Sequence, residues 1–341
     1  MNVKKKYSKS FEFYLDSKKS YFDNNLEKLE QVCNINKNYV TQPKRKSCKV
    51  CGADLQGAIF TSHGVDYLFC KNCQHLNGLY DDTKNFCDFM YMDEGGEDYA
   101  ANYVDDSYNQ RVQDIYIPKA KFLTEVKASL KEKKIIDVGC GGGHFVAALL
   151  DQGFNAVGVD VSQKLVEFGN YNIGELHGQR PLTYFPEDSL FSQINGDYDL
   201  ASTIGVIEHM REPLKYIDEF KKSAVEYIYF SVPMVGPSII FEHLFQNTYP
   251  RQLSAGHTHL FSEQSIEYIV NLAGCESIGE WRFGSDFMDL YRAFDLNLQG
   301  PGSSGLKKLS EEKFLPIIDE LQSVIDKHHF CSEIHVLAQK K

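Results

Sequence analysis

One run of ten residues constrains this chain more than any other: Ile135-Ile136-Asp137-Val138-Gly139-Cys140-Gly141-Gly142-Gly143-His144. Apolar residues lead straight into a glycine cluster, and Phe145, Val146, Ala147, Ala148, Leu149 and Leu150 follow. That order predicts a buried parallel strand, a tight turn and a helix. Glycines at such a turn let backbone N–H groups approach a ligand that a Cβ would hold away. A dinucleotide fingerprint would need its third glycine at position 144 or 146, where His144 and Val146 stand instead. No Gly-Lys-Ser/Thr closes the run, so a Walker loop is excluded as well.

The pattern Asp-Val-Gly-Cys-Gly-x-Gly resembles motif I of class I S-adenosylmethionine (SAM) methyltransferases, and further parts of that pattern follow in order. Phe154 to Val159 predicts a second strand ending in Asp160, and Asp197 to Ser202 matches strand four. Ile207-Glu208-His209-Met210 matches the Glu-His signature after it. Ile228 to Pro233 matches strand five, His259-Leu260-Phe261-Ser262 opens a helix ending at Gly274, and Ile334 to Ala338 reads as the terminal strand. The resemblance runs from about residue 115 to the end. It implies an α/β fold: a Rossmann-like, seven-stranded SAM-methyltransferase sheet. It also implies SAM as cofactor, contacted by Asp137, Gly139, Gly141, Gly143, Asp160, Val161, Thr203 and Gly205. An acid ending the second strand can accept two hydrogen bonds from ribose hydroxyls. The residues alone leave open that the glycines form a plain strand-to-helix turn. They also leave open that Asp160 caps the next helix, which Ser162 would do equally well.

A metal motif lies upstream. Cys48-Lys49-Val50-Cys51-Gly52 and Cys70-Lys71-Asn72-Cys73 form two C-x2-C pairs separated by eighteen residues. The spacing predicts a zinc-ribbon module with a structural Zn2+ held by Cys48, Cys51, Cys70 and Cys73. Four sulfurs saturate the ion and leave it no catalytic position. Redox or disulfide pairs are the alternative, and nothing in the sequence suggests secretion. His63 and His75 read as surface or loop residues.

These motifs divide the chain into a basic helical arm (1–45), the zinc ribbon (46–80), an acidic, tyrosine-bearing linker or lid (81–118) and the methyltransferase domain (119–341). Residues 1–50 carry twelve Lys/Arg against five Asp/Glu, while the whole chain has a net charge of −11. That acidity argues against nucleic acid as partner. Lys44-Arg45-Lys46 is either a solvated linker or a contact for an anionic group. Phe11 to Val32 carries apolar residues at helical spacing. The linker interleaves acids with Tyr91, Tyr99, Tyr103 and Tyr108, which either cover the SAM pocket or pack on the main domain. No apolar stretch reaches the length of a membrane span, and Met1 to Ser10 lacks the apolar core of a signal peptide. A cytoplasmic protein with reduced thiols is the expectation.

Methyl transfer to a hydroxyl or carbon acid needs an aligned acceptor and a group to take its proton. Glu208, His209, His257 and His259 are the candidates by position. Ribbon, linker and SAM domain together resemble bacterial sugar C-methyltransferases and other methyltransferases of surface-polysaccharide clusters. In the sugar enzymes a Tyr-His-Glu-His-Leu segment carries the base. Here Gly256-His257-Thr258-His259-Leu260 keeps both histidines and replaces the tyrosine and glutamate. The resemblance implies a small anionic acceptor such as a nucleotide-linked sugar, with His259 as base for a hydroxyl. Packing at a helix start is the other reading of His259, and shaping the SAM pocket is the other reading of Glu208-His209. An RNA methyltransferase and a non-catalytic scaffold are the competing functions. Met234 to His259 is expected to wall the acceptor pocket.

Overall fold

The structure is a computed structural model that describes residues 3–9, 24–91, 108–254 and 256–341. Its strands, in chain order, are β1 (Lys4–Tyr7), β2 (Ile59–Ser62), β3 (Val65–Phe69), β4 (Leu76–Gly78), β5 (Lys134–Val138), β6 (Asn155–Asp160), β7 (Leu182–Tyr184), β8 (Leu200–Ile204), β9 (Tyr227–Pro233), β10 (His259–Leu260), β11 (Cys275–Phe283) and β12 (Glu333–Lys340). They make two sheets. The larger has the order β1-β11-β12-β9-β8-β5-β6-β7, and the smaller β10-β4-β3-β2.

In the large sheet β5 to β9 run parallel, and β12 is inserted antiparallel between β9 and β11. Strands buried on both faces must be apolar throughout. All seven residues of β9 are buried, as are four of the five in β5. Successive side chains go to opposite faces. Ile136 and Phe230 join Tyr216, Phe220 and Ile266 on one side, while Ile135 and Tyr229 join Phe145, Trp281 and Leu337 on the other. Strand order reverses between β5 and β8, so the turn after β5 opens at the switch point where ligands bind in such sheets.

Two features depart from the sequence expectation. Among the described residues the sheet has eight strands, not seven, because Lys4–Tyr7 pairs in parallel with Gly279–Arg282 of β11. An exposed edge offers free N–H and C=O groups to any nearby segment, and a lysine run gives no apolar signal for such a strand. The amphipathic reading of Phe11 to Val32 falls mostly outside the described residues, and the helix that is described runs Asn25–Tyr39.

The second departure concerns the cysteine region, which shares a sheet and an apolar cluster with the rest of the chain. Its sheet is completed by β10, where His259 and Leu260 pair with Asn77 and Leu76. Cys48, Val50, Cys70 and Cys73 lie in the same apolar cluster as Met210, Phe261 and Ile266. In the basic segment before the first knuckle Lys44 and Lys46 stay exposed, and only Arg45 turns inward. Arg45 donates to the carbonyls of Gly78 (3.1 Å) and Tyr80 (2.8 Å) and to Asp82 (3.1 Å), whose carboxylate also pairs with the buried Lys49. Among the described residues no helix is long and apolar enough to cross a membrane.

Candidate functional site

The glycine run forms the turn between β5 and the helix His144–Asp151. Gly139, Gly141 and Gly143 all have left-handed φ (76°, 52° and 70°). At Gly143 the demand is also steric, since a Cβ would come within 2.6 Å of the Leu182 side chain. At Gly141 the space is open, and its N–H points at Asp160. One Asp160 oxygen accepts that N–H at 2.7 Å, and the other accepts the Ser162 N–H at 2.8 Å. Ser162 itself caps the following helix through Leu165 N–H. Asp160 therefore braces the glycine loop and leaves capping to Ser162. Burial raises its pKa, opposed by those two backbone donors.

A cleft of about 700 Å³ opens over this loop. Asp137, Gly139, Gly141, Asp160, Val161, Gly205 and His209 line it. Gly143 and Thr203 sit behind the lining. Gly143 is the helix N-cap residue, and Thr203 is fully buried in β8 against Tyr216. Asp137 accepts a hydrogen bond from Ser202 Oγ at 2.7 Å, and burial pushes its carboxyl up to about 7. Tyr108 donates to the Gly142 carbonyl at 3.0 Å and packs its ring 4.2 Å from that of His144. Lys84, Cys87 and Asp88 also line the cleft, so both described ends of the linker meet it. Tyr99 and Tyr103 lie outside the described residues.

The candidate bases divide. His209 lines the cleft, and its Nδ1 lies 2.8 Å from the Gly256 carbonyl. Burial and the neighbouring His257 hold its pKa down to about 3. Glu208 and His257 stand beside it, and one ligand-capable atom from each of the three lies within 4.8 Å of the others. His259 is absent from the lining. Its ring is fully buried, with Nδ1 2.8 Å from His75 Nε2, and His75 in turn reaches Ser265 at 3.2 Å. This geometry belongs with a packing role for His259 at the junction of the two sheets. His63 and His75, expected as surface or loop residues, do lie in loops, but both are buried. Their long-range partners, the Thr248 carbonyl and Ser265, lie 185 and 190 positions away, which local sequence could not supply.

The segment Met234–His259 contributes nothing to the lining among the described residues. Two of its charged side chains, Glu242 and Arg251, turn inward. Glu242 accepts N–H groups of Arg251, Gln252 and Leu253, and Arg251 forms a two-oxygen pair with Asp289 from 2.8 Å. Sequence reasoning missed Ser202, which holds Asp137, and the lining residues His144, Lys84, Tyr184, Arg211 and Lys215. Arg211 and Lys215 directly follow the Glu-His signature, which is the one signal that could have marked them.

The four cysteines converge as their spacing predicts. Cys48 and Cys73 sulfurs are 3.6 Å apart, Cys51 and Cys70 are 3.5 Å apart, and all four lie within 4.8 Å of one another. Zinc–sulfur bonds of about 2.3 Å in a tetrahedron put sulfurs about 3.8 Å apart. The cluster thus has the size and donor set to hold a metal ion. Each knuckle turns back through a left-handed residue just after its second cysteine, Gly52 and Gln74.

A family model described as a methyltransferase domain matches residues 108–279, just over half of the chain. The chain belongs to this methyltransferase family. A ubiquinone biosynthesis O-methyltransferase of Nitrosomonas europaea is 22% identical over 147 residues, 42% of this chain and 63% of that protein. The corresponding Bordetella avium protein is 28% identical over 100 residues, 28% of this chain and 39% of its own. The chain therefore spans less than two thirds of these relatives. Magnesium protoporphyrin IX methyltransferase from Synechocystis, solved with bound S-adenosylhomocysteine, superposes with a TM-score of 0.51 at 14% identity, covering 76% of this chain and all of that one. That likeness establishes the class I SAM-methyltransferase fold.

Proposed function

We propose that this chain transfers a methyl group from SAM to a hydroxyl of a small acceptor. The observation that carries the reading is the cleft at the switch point, lined by the glycine loop, Asp160 and His209 together. The loop N–H groups and Asp160 would bind the nucleoside, with the carboxylate's remaining lone pairs taking ribose hydroxyls. SAM supplies an activated methyl on a sulfonium. The chain's part is to align the acceptor and manage its proton, which falls to Glu208, His209 and His257. A neutral His209 suits that task better than a charged one. O-methylation accords with the names of the curated relatives. A nucleotide-linked sugar or polysaccharide precursor is our reading of the acceptor, supported by three cations among the lining residues. Lys84, Arg211 and Lys215 are held there against Asp88, Glu187 and Glu212, carboxylates that an anionic group would displace. The acidic chain, at −11, suits a small acceptor better than a polynucleotide. We assign the four-cysteine cluster to a structural zinc.

Calorimetry with SAM, followed by labelled SAM and a panel of nucleotide sugars, tests this. One SAM per chain and label in a sugar are expected. Absence of SAM binding would sink the reading, and label in RNA instead would replace the acceptor.

A further inference from the structure

Glu208 and His209 lie on the short turn Ile207–His209 that follows β8, and His257 lies on the loop before β10. Three observations single this group out. A backbone carbonyl only accepts, so the 2.8 Å contact between His209 Nδ1 and Gly256 O puts the ring proton on Nδ1. The lone pair is then on Nε2, which faces Glu208 Oε1 at 4.0 Å. Metal-bound imidazoles are oriented this way, with the second nitrogen donating to a carbonyl. Next, Glu208 Oε2 and His257 Nδ1 are both buried without a hydrogen-bond partner. Buried polar atoms are costly in that state, and a cation between them would satisfy both. Finally, Glu208 is only 4% exposed, yet no Lys or Arg pairs with it among the described residues. The loop carrying His257 is fixed from behind by Glu242 through three backbone N–H groups.

We propose that Glu208, His209 and His257 form a second metal site, separate from the four cysteines, for a divalent first-row transition cation. The ligands are a Glu208 oxygen, His209 Nε2 and His257 Nδ1. Two imidazoles and one carboxylate favour manganese, iron, cobalt or zinc over magnesium and calcium. Ligand atoms around such an ion sit about 3 Å apart, so binding draws the three inward by side-chain rotation. His209 faces the cleft, so the ion's open positions meet the acceptor there. The ion would hold an acceptor oxygen and lower the pKa of its proton, as it does for bound water. That last role rests on the methyltransferase reading, while metal binding itself does not.

Cobalt(II) titration of the full chain, with the cysteine site already filled by zinc, tests the proposal. One equivalent is expected, with d–d absorption and no thiolate charge-transfer band. Glu208→Gln and His257→Gln should each weaken uptake at least tenfold. Thermal melting shows whether each variant is folded, and His257, on a loop, is the safer position. No cobalt uptake by the unaltered protein, a thiolate band accompanying all of it, or uptake by both variants as tight as that of the unaltered protein would overturn the site. SAM calorimetry on the same samples separates the two ideas. SAM binding without cobalt uptake refutes only the metal site, and cobalt uptake without SAM binding refutes only the methyltransferase reading.

Discussion

Asp160 does two jobs whose consequences differ. Its carboxylate holds the glycine loop through Gly141 N–H and is the group offered to a ribose. Charge-assisted hydrogen bonds contribute about 1.5–3 kcal/mol each, so Asp160→Ala should weaken SAM binding by tens of fold or more while the protein still folds. Unchanged affinity in calorimetry would remove the ribose role. Asp137 gives a pH signature instead. An unfolded Asp titrates near 3.9, whereas burial holds Asp137 up to about 7 in the fold. Between those values the native state keeps a proton that the unfolded state has lost. Stability therefore falls as pH rises through the window, by at most about 1.4 kcal/mol per pH unit from this group. Asp137→Asn should gain on the unaltered protein progressively from pH 4 to 7 and then level off. Urea melts across that range would read it, and a flat difference would contradict the cause. For His259, burial against His75 predicts a loss of stability. Its replacement by Ala should lower stability by about 1–3 kcal/mol and leave kcat of the folded protein within a few fold. A hundredfold fall in kcat at an unchanged melting temperature would restore it as the base.

At the scale of elements, each functional piece is a turn held by something distant. The glycine loop is buttressed by Leu182 of β7 and by Tyr108, and the knuckles by Asn77 and Ser262. Ser262 Oγ donates to the Cys73 carbonyl at 2.8 Å while capping the helix Glu263–Leu272. Loss of one thiolate should thus be felt beyond the knuckle. Cys70→Ser should lower bound zinc from near one per chain and destabilise the protein, since metal-binding energy is folding energy in such sites. Full zinc retention after losing two of the four cysteines would refute the assignment.

For the whole molecule the decisive fact is that the small sheet borrows β10 from the methyltransferase part and shares its core. Two units joined through one apolar cluster unfold together. Removing the metal with a strong chelator should therefore lower the melting of the entire chain in a single transition. Scanning calorimetry showing two transitions, with the larger unmoved by chelation, would mean that the cysteine region is an independent module after all.

The sequence by itself determined the parts whose signal is local. Continuous apolar strands, glycines at left-handed positions and C-x2-C pairs are short-range patterns set by backbone sterics and ligand geometry, so the loop at Gly139–Gly143, Asp160 and the four cysteines were legible. Only the tertiary structure decided which histidine faces the cleft. His259 and His209 both sit in family-like motifs, yet one is sealed against His75 and the other opens beside Asp137 and Gly205. It also decided that Lys4–Tyr7 is a strand, that Arg45 is an internal latch, and that Glu242 and Arg251 tie down a loop instead of lining a pocket. Burial and long-range pairing depend on residues tens to hundreds of positions apart, and no local pattern encodes that distance.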